Sequence, residues 1–420
     1  MYKDISKDLL HFISMCPTAF HAVSSMKTAL LYDKFTELKE SEPWELKRGG
    51  RYVVTRNGSA LIAFTLPAHP SAFRIFATHA DSPCFKIKEN PDLPAENGYV
   101  RLNVECYGGL LYSPWLDRPL SAAGRIIVKE GDSLVPKLIC IRKDLLVIPS
   151  LAIHLDRTAN AGHALNPQTD LLPLYSNAEG IPFMDTVAGE AGVRKEDILG
   201  HDLFVYSRTP GTVWGPSGEF LSSGRLDDLQ CAFASFRGFI DGPKEKYICV
   251  HCMFDNEETG SCTAQGAAST FLDSTLRRIA CALGTDEGGY PAMLARSFMI
   301  SADNAHAVHP NHPEKSDPVN RPVLNGGIVI KFNASQRYCT DGLSAAMFRE
   351  ICHEADVPLQ VYTNRSDMPG GSTLGNIAMT HTAMPAVDIG LPQLAMHSPW
   401  ETAGSQDTAY LVRAAAVFFA

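Results

Sequence analysis

Apolar residues recur along this chain with two kinds of spacing, one typical of buried strands and one typical of helices. Short, almost continuous apolar runs predict strands that are covered on both faces. Longer stretches between them carry apolar residues at helical spacing. Examples of the two kinds are the strands "FRIFAT", "YICVHCMF", "SFMISA" and "GIVIKF" and the helices "LDDLQCAFASFRGFI", "TAQGAASTFLDSTLRRIACAL" and "DTAYLVRAAAVFFA". Their alternation predicts an α/β fold, with a mixed sheet flanked by helices.

The pattern changes between about residues 90 and 215. Short β-like runs such as "RLNVECYGG", "GRIIVKEG" and "SLVPKLICI" follow one another there, separated by Gly, Pro and Asp, with few helical periods. A chain of 420 residues also exceeds the size at which one hydrophobic core stops growing. We therefore predict a β-rich domain, residues 91–215, inserted into a discontinuous α/β domain made of residues 1–90 and 216–420.

Charge and composition exclude several classes of function. The net charge is −9, from 46 acidic and 37 basic residues, and no basic block is present, so nucleic acid is not an expected partner. The apolar runs are shorter than the ~18 residues of a membrane span, and the start of the chain lacks the layout of a signal peptide. Eleven scattered cysteines favour reduced thiols. A cytoplasmic protein without a membrane partner is expected.

Histidines and carboxylates stand at comparable places in the α/β pattern. Most follow a predicted strand directly, and one precedes a helix. They are His79, Asp81, Asp227, Glu257, Glu258, Asp303 and His397. Because loops at the carboxyl ends of strands in an open α/β sheet converge on one crevice, we expect these side chains to meet there.

Two histidines with several carboxylates are suited to divalent zinc, which accepts imidazole nitrogen and carboxylate oxygen. They exceed the three protein ligands of one catalytic zinc, so two metals sharing a bridging carboxylate are the better interpretation. One of the adjacent Glu257 and Glu258 would then bind a metal while the other moves a proton. Each residue also has a simpler interpretation as a helix cap, a solvated turn or a hydrogen-bonded core group.

Seven motifs resemble one known family. They are "THADSP", "YGGLLYSPWLDRPLSAAGRIIVK", "IPSLAIHLDR", "GRLDDL", "DNEETGS", "SADNAHAVHPN" and "PQLAMHSPWE". In this order, from about residue 75 to the carboxyl terminus, they are similar to those of the aspartyl aminopeptidase family of dinuclear zinc exopeptidases. The resemblance implies a metallo-aminopeptidase with a zinc-exopeptidase-like catalytic domain and an inserted dimerisation domain.

The resemblance also implies roles for the candidate residues. His79 and Asp303 would bind the first metal, Glu258 and His397 the second, and Asp227 would bridge the two. Glu257 would be the general base, and Asp81 would orient the imidazole of His79. Two Zn²⁺ ions per subunit are implied, and Co²⁺ or Mn²⁺ could occupy the same ligands.

Substrate and assembly follow from the same resemblance. The family removes the amino-terminal residue of peptides and prefers an acidic one, and Lys331 is the matching cation, with Tyr338 and His306 as substrate neighbours. Its inserted domain helps to build homo-oligomers, typically a dodecamer built from dimers, and lends His154 to a neighbouring active site. One departure bears on this comparison: Asp228 follows Asp227 where an amide is expected.

Two alternatives remain from the sequence. A related dinuclear amidohydrolase, such as a deacylase or carboxypeptidase, would share the catalytic fold and ligand set but would lack the motifs inside the insert. A scaffold protein that has lost activity would keep the fold, but a purely structural metal site would not need Glu257 as a spare base.

Overall fold

The computed structural model describes residues 2–162 and 164–420. The chain divides into two compact units. The first comprises the chain up to Asp81 together with Gly211–Met396 and Glu401–Ala420, and the second comprises Ser82–Pro210 and His397–Trp400. Each unit has its own hydrophobic core.

The amino-terminal part of the first unit contains two helices followed by strands. They are α1 (Tyr2–Met15), α2 (Ala19–Tyr32), β1 (Thr36–Leu38), β2 (Arg51–Arg56), β3 (Ala60–Thr65) and β4 (Phe73–His79). Asn57 and Gly58, both with positive φ, lie in the tight connection between β2 and β3. An Asn-Gly pair suits such a hairpin because both central residues tolerate left-handed backbone. Helix α2 was not predicted from the sequence.

The second unit is built on an antiparallel six-stranded sheet with the order β8-β7-β10-β5-β6-β9. Its elements are β5 (Cys84–Pro94), β6 (Tyr99–Tyr107), β7 (Leu120–Glu130), β8 (Ser133–Cys140), β9 (Leu174–Asn177), α3 (Phe183–Ala191) and β10 (Ile198–Ser207). Phe85, Trp115 and Phe183 lie in its core. The boundary inferred from the sequence at residue 91 falls inside β5, which continues to Pro94 with a shift in its pairing register between Ile87 and Asp92.

The rest of the first unit alternates helices and strands. These elements are α4 (Leu226–Asp241), α5 (Phe271–Ala282), α6 (Gly289–Ala295), α7 (Gly342–Glu354), α8 (Leu374–Ala378), α9 (Asp407–Phe418), β11 (Thr212–Trp214), β12 (Phe220–Ser223), β13 (Ile248–Phe254), β14 (Phe298–Ala302), β15 (Ala305–His306), β16 (Ile328–Phe332), β17 (Leu359–Thr363), β18 (Ala386–Gly390), β19 (Pro392–Leu394) and β20 (Glu401–Gly404).

Two sheets organise the first unit. The larger has the order β1-β2-β3-β13-β4-β14-β18-β16-β17, and the smaller has the order β11-β12-β20-β19-β15. Strands β13, β4, β14 and β18 run parallel in the middle of the larger sheet, while antiparallel pairs flank them. The predicted mixed α/β sheet is therefore confirmed.

Helices cover both faces of the larger sheet. On β4, Phe76 packs in the cluster that contains α4 and α9, whereas Ile75 and Ala77 pack in the cluster that contains α5 and α6. Successive strand residues point to opposite faces, so a strand buried on both sides reads as a continuous apolar run. Within the described residues no helix has the length and apolar character needed to span a bilayer.

One helix is shorter than predicted. The apolar spacing indicated a helix over residues 263–283, but α5 begins at Phe271. The preceding segment turns back on itself, and the backbone N–H of Ala268 donates to the carbonyl of Ser261. A Cβ at Gly266 would lie 2.2 Å from that same carbonyl oxygen. Close backbone approach therefore overrides the helical spacing in this segment.

A histidine lies inside the first unit's core. His251 on β13 is fully buried, its Nε2 is 3.0 Å from the hydroxyl of Ser235, and its ring lies against Phe236 and Phe239. Burial lowers the pKa of His251 from 6.5 to about 3. Between these values the unfolded chain binds a proton that the folded chain excludes. Stability is thus lost as the pH falls below about 6.5.

The first prediction concerns this acid sensitivity. Between pH 6.5 and 4.5, His251 should cost the wild type about 1.4 kcal/mol of unfolding free energy per pH unit relative to His251→Gln. Urea unfolding of both proteins across this range measures the difference. His353→Gln removes an exposed histidine and should parallel the wild type. Identical pH slopes for the wild type and His251→Gln would contradict the assignment.

Candidate metal centre

Most of the candidate residues lie at or just after the ends of three neighbouring parallel strands. His79 ends β4, Glu257 and Glu258 follow β13, and Asp303 directly follows β14. In the β13–β4 register Phe254 is opposite His79, and in the β14–β4 register Ser301 is opposite Ala77. All three strands therefore end at the same level. The expected convergence at the carboxyl edge of the sheet is observed in the first unit.

His79 is the centre of this group. Its Nε2 lies 3.3 Å from Oδ1 of Asp227 and 3.9 Å from Oδ1 of Asp303. Its Nδ1 lies 3.3 Å from Oδ1 of Asp81 and 3.1 Å from the Asp81 carbonyl oxygen. The backbone N–H of His79 donates to Oδ2 of Asp228 at 3.1 Å. The imidazole is thus held on the Asp81 side and directs Nε2 towards the carboxylates.

Asp81 also organises the segment that carries the two glutamates. Its Oδ1 accepts the backbone N–H of Glu257 at 3.2 Å, and its Oδ2 accepts that of Glu258 at 3.1 Å. A single 3-10 turn, Glu257–Thr259, begins there after Asn256, which has a φ of 60°. One carboxylate therefore fixes the position of an imidazole and of both glutamates.

Within the first unit, two sets of ligand atoms are compatible with metal binding. In one set, one atom each from His79, Asp227, Asp228 and Asp303 lie within 4.8 Å of one another. In the other, one atom each from His79, Glu257 and Glu258 do so. Imidazole nitrogen with carboxylate oxygen is a donor set that zinc prefers.

The charges of the cluster also fit a divalent cation. Burial, with the charge of Asp303, raises the pKa of Glu257 to about 8. Burial and the charge of Asp227 raise the pKa of Glu258 well above its usual value. Burial lowers the pKa of His79, but hydrogen bonds to carboxylates, Asp227 first, more than offset this and raise it. Buried negative charges repel one another here, and a bound cation would relieve that repulsion.

The residues suggested for substrate binding differ in exposure. Lys331 is buried, and its Nζ lies 2.9 Å from the carbonyl oxygen of Asn304 and 3.6 Å from Oδ2 of Asp303. Tyr338 is also buried, with its ring 5.6 Å from Nζ of Lys331. His306 is exposed, with its ring 6.0 Å from that of Tyr362. The lysine, expected from the resemblance to face substrate, thus already contacts a candidate metal ligand.

Two predicted site residues belong to the second unit. His397 has a φ of 68°, and its Nδ1 lies 2.7 Å from the carbonyl oxygen of Gly109. His154 is exposed in a turn between the exposed side chains of Ile153 and Leu155. Their participation in an active site stays a prediction.

Sequence reasoning gave no role to two buried carboxylates beside the candidate ligands. Asp228 holds the backbone of His79, and Glu401 accepts the backbone N–H groups of Leu226 and Asp227. Both stand inside motifs that were quoted, "GRLDDL" and "PQLAMHSPWE". In both cases the available sequence signal was a carboxylate in an apolar setting near a candidate ligand. Only the fold shows which backbone N–H groups each carboxylate accepts.

Together, the fold and the donor set define a metal-dependent hydrolase of the α/β type. Comparisons with known proteins narrow this class. Residues 12–419 match the family model described as "Aminopeptidase I zinc metalloprotease (M18)".

Relatives and solved structures agree with this match. The chain is 44% identical over 427 residues to a probable M18 family aminopeptidase 2 of Clostridium acetobutylicum, covering 99% of this chain and 98% of the relative. It is 41% identical over 430 residues to a protein of the same description from Stutzerimonas stutzeri, covering 100% and 99%.

Among solved structures, Ape4 in its complex with Nbr1 has a TM-score of 0.96 at 35% identity, covering 100% of this chain and 86% of that one. The mApe1 dodecamer of S. cerevisiae has a TM-score of 0.88 at 27% identity, covering 100% and 97%. The chain belongs to the M18 family of zinc metalloproteases, and it is a metallo-aminopeptidase.

Proposed function

We propose that this aminopeptidase uses two divalent cations, that zinc is the expected metal, and that Asp227 bridges the two. The observation that carries the proposal is that ligand atoms of Asp227, Asp303 and His79 cluster, while Glu257 and Glu258 cluster with the same imidazole. His79 and Asp303 would hold one cation. Glu258, together with His397, would hold the other.

The bound cations would supply Lewis-acid activation of a water molecule and of the peptide carbonyl. Glu257 takes a proton from the attacking water and returns it to the leaving amine. Asp81 holds the imidazole of His79 and the backbone of Glu257, so the ligand and the base keep fixed positions relative to each other. The free amino terminus of a peptide would be recognised by the negative charge of the cluster.

Asp228 adds a carboxylate where the family resemblance leads us to expect an amide. It is fully buried, and its Oδ2 accepts the His79 N–H. Burial raises the pKa of Asp228 well above its usual value, and the charges of Asp303 and Asp227 add to this rise. A protonated Asp228 would, like the expected amide, offer both a donor and an acceptor.

A preference for acidic amino-terminal residues would depend on Lys331, with Tyr338 and His306 near the substrate. Burial of Lys331 supports a structural part for it, because its Nζ contacts Asp303 and the Asn304 carbonyl. A carboxylate of the substrate could share the same ammonium group, which has three N–H donors.

The assembly is proposed by comparison. mApe1 of S. cerevisiae forms a dodecamer, and we infer that this chain forms a homo-oligomer, namely a dodecamer assembled from dimers that form through the second unit. Exposed Leu151, Ile153 and Leu155 surround the exposed His154, which supports a covered position for this segment and a contribution of His154 to a neighbouring subunit. Eleven free thiols are compatible with a cytoplasmic location.

The alternatives from the sequence are less well supported. Membership of an aminopeptidase family speaks against a deacylase or a carboxypeptidase. An inactive scaffold would not need Glu257, whose backbone is held by Asp81 beside the candidate ligands.

The second prediction tests the base. Glu257→Gln should lower kcat on aminoacyl p-nitroanilides by about 10²- to 10⁴-fold, because proton transfer is lost. Its zinc content should stay at the wild-type level. Glu258→Gln, the same chemical change one residue later, should lose zinc as well as activity. Metal analysis and kinetics of both variants decide, and near-normal kcat in Glu257→Gln would refute the assignment.

The third prediction tests specificity. Because Lys331 also supports Asp303, Lys331→Ala should reduce activity on all substrates. The readout is therefore the ratio of kcat/KM for an acidic over a neutral amino-terminal residue, which should fall about tenfold, or about 1.4 kcal/mol. Tyr338→Phe removes a nearby hydroxyl but no charge, and it should change this ratio less. An unchanged ratio in Lys331→Ala would remove Lys331 from the substrate pocket.

A further inference from the structure

The motif "PQLAMHSPWE" ends in a glutamate for which the proposed mechanism has no use. Glu401 lies on β20, opposite Ser223 of β12, and only 1% of it is exposed. We propose that Glu401 is a positioning residue that fixes the bridging ligand Asp227 and so sets the affinity of the site for metal. This inference rests on the proposed two-cation function.

The contacts of Glu401 are directed at the ligand's own backbone. Its Oε2 accepts the N–H of Leu226 at 2.7 Å and the N–H of Asp227 at 3.2 Å. The first N–H groups of a helix have no partner within the helix, and a buried one left unpaired is costly. Asp227 and Asp228 also have non-helical backbone dihedrals. An external acceptor is therefore required here, and Glu401 supplies it.

This segment is held from two sides. Glu401 binds the backbone at Leu226 and Asp227, and the next residue, Asp228, binds the backbone N–H of His79. Between these two anchors the Asp227 carboxylate lies 3.3 Å from Nε2 of His79. A bridging ligand has to satisfy two cations at once. Small displacements of its backbone should therefore weaken both.

A chain of buried polar groups fixes Glu401 in turn. Its Oε1 accepts Nε2 of Gln393 at 3.4 Å, and Oε1 of Gln393 accepts Nδ2 of Asn304 at 2.9 Å. The Asn304 carbonyl accepts Nζ of Lys331, which lies 3.6 Å from Asp303. The network thus runs from one candidate ligand, Asp227, to another, Asp303. Because Asn304 orients the Gln393 amide, Gln393 presents its NH₂ group to Glu401.

The experiment measures zinc affinity directly. Zn²⁺ is titrated into chelator-stripped full-length protein by competition calorimetry, and Co²⁺ absorption spectra report the ligand geometry. Glu401→Ala should bind zinc about 10- to 100-fold more weakly than the wild type, as for other residues that orient metal ligands. Its Co²⁺ spectrum should also change.

A swap of the two side chains provides a rescue. Glu401→Gln places an amide NH₂ against that of Gln393, or else against the backbone N–H donors, and should weaken zinc binding about tenfold. Adding Gln393→Glu restores every hydrogen bond, with the negative charge moved one residue along the network. The double variant should recover zinc affinity to within about threefold of the wild type. This recovery keeps the inference testable if Glu401→Ala does not fold.

Asp407 provides the matched control. It is a buried carboxylate of the same unit that also accepts two backbone N–H groups, those of Asn325 and Gly327. Neither of these two donors is a candidate ligand. Asp407→Ala should lower the Tm of the metal-free protein, as Glu401→Ala is also expected to do, and should leave zinc affinity within about threefold of the wild type.

The outcomes separate this inference from the function on which it rests. Wild-type protein that does not bind two zinc ions tightly would overturn the proposed function, and this inference with it. Tight wild-type binding that survives Glu401→Ala would overturn the inference alone. Equal losses of affinity in Asp407→Ala, or no recovery in the double variant, would also overturn it, because general destabilisation would then explain the effect.

Discussion

Negative charge buried at the carboxyl edge of the central sheet is the constraint on which the rest of the structure depends. Asp227, Asp228, Asp303, Glu257 and Glu258 lie close to one imidazole, that of His79. Removing ionised carboxylates from water is expensive unless cations or hydrogen bonds compensate them. The raised pKa of Glu257 and Glu258 reflects this cost. Bound divalent cations would compensate this cost, and they would allow the cluster to activate water for hydrolysis.

The scaffold around this cluster explains how it can exist. Strands β13 and β14 are buried along their whole length, and β4 is buried except at Arg74, so the polar side chains of the site collect where the strands end. Helices on both faces hold the strands in register. Beneath the site, side chains such as Asp81 and Glu401 accept backbone N–H groups of the segments that carry ligands. The ligands are thus positioned through their backbone as well as by their rotamers.

Much of this could be predicted from the sequence because the signals are local. The apolar runs that end at His79, Phe254 and Ala302 give both the strands and the places where candidate ligands emerge. The convergence of these candidate ligands at the carboxyl edge of the sheet followed from the strand topology alone. Features that depend on tertiary packing were harder to predict. Helix α5 begins later than expected because the backbone approaches closely at Gly266. The second unit begins at Ser82, before the residue near which the apolar pattern changes.

The environment of individual side chains was the other feature that could not be predicted from the sequence. A lysine at the end of a strand gives no sign in sequence of whether it faces substrate, and only the fold reveals that Lys331 contacts Asp303. Likewise, the backbone N–H groups that Glu401 accepts belong to residues 175 and 174 positions away in the chain. Such contacts join segments that no periodicity links, which is why motif reasoning found the ligand candidates and Asp81 but gave no role to Glu401.

The most direct test of two bridged cations is anomalous scattering at the zinc edge from crystals of the full chain grown with Zn²⁺. The account predicts two peaks per chain, about 3.5 to 4 Å apart. Asp227 should contact both, His79 and Asp303 should contact one, and Glu258 should contact the other. A single peak, or a pair of peaks with Asp227 bound to only one of them, would contradict it.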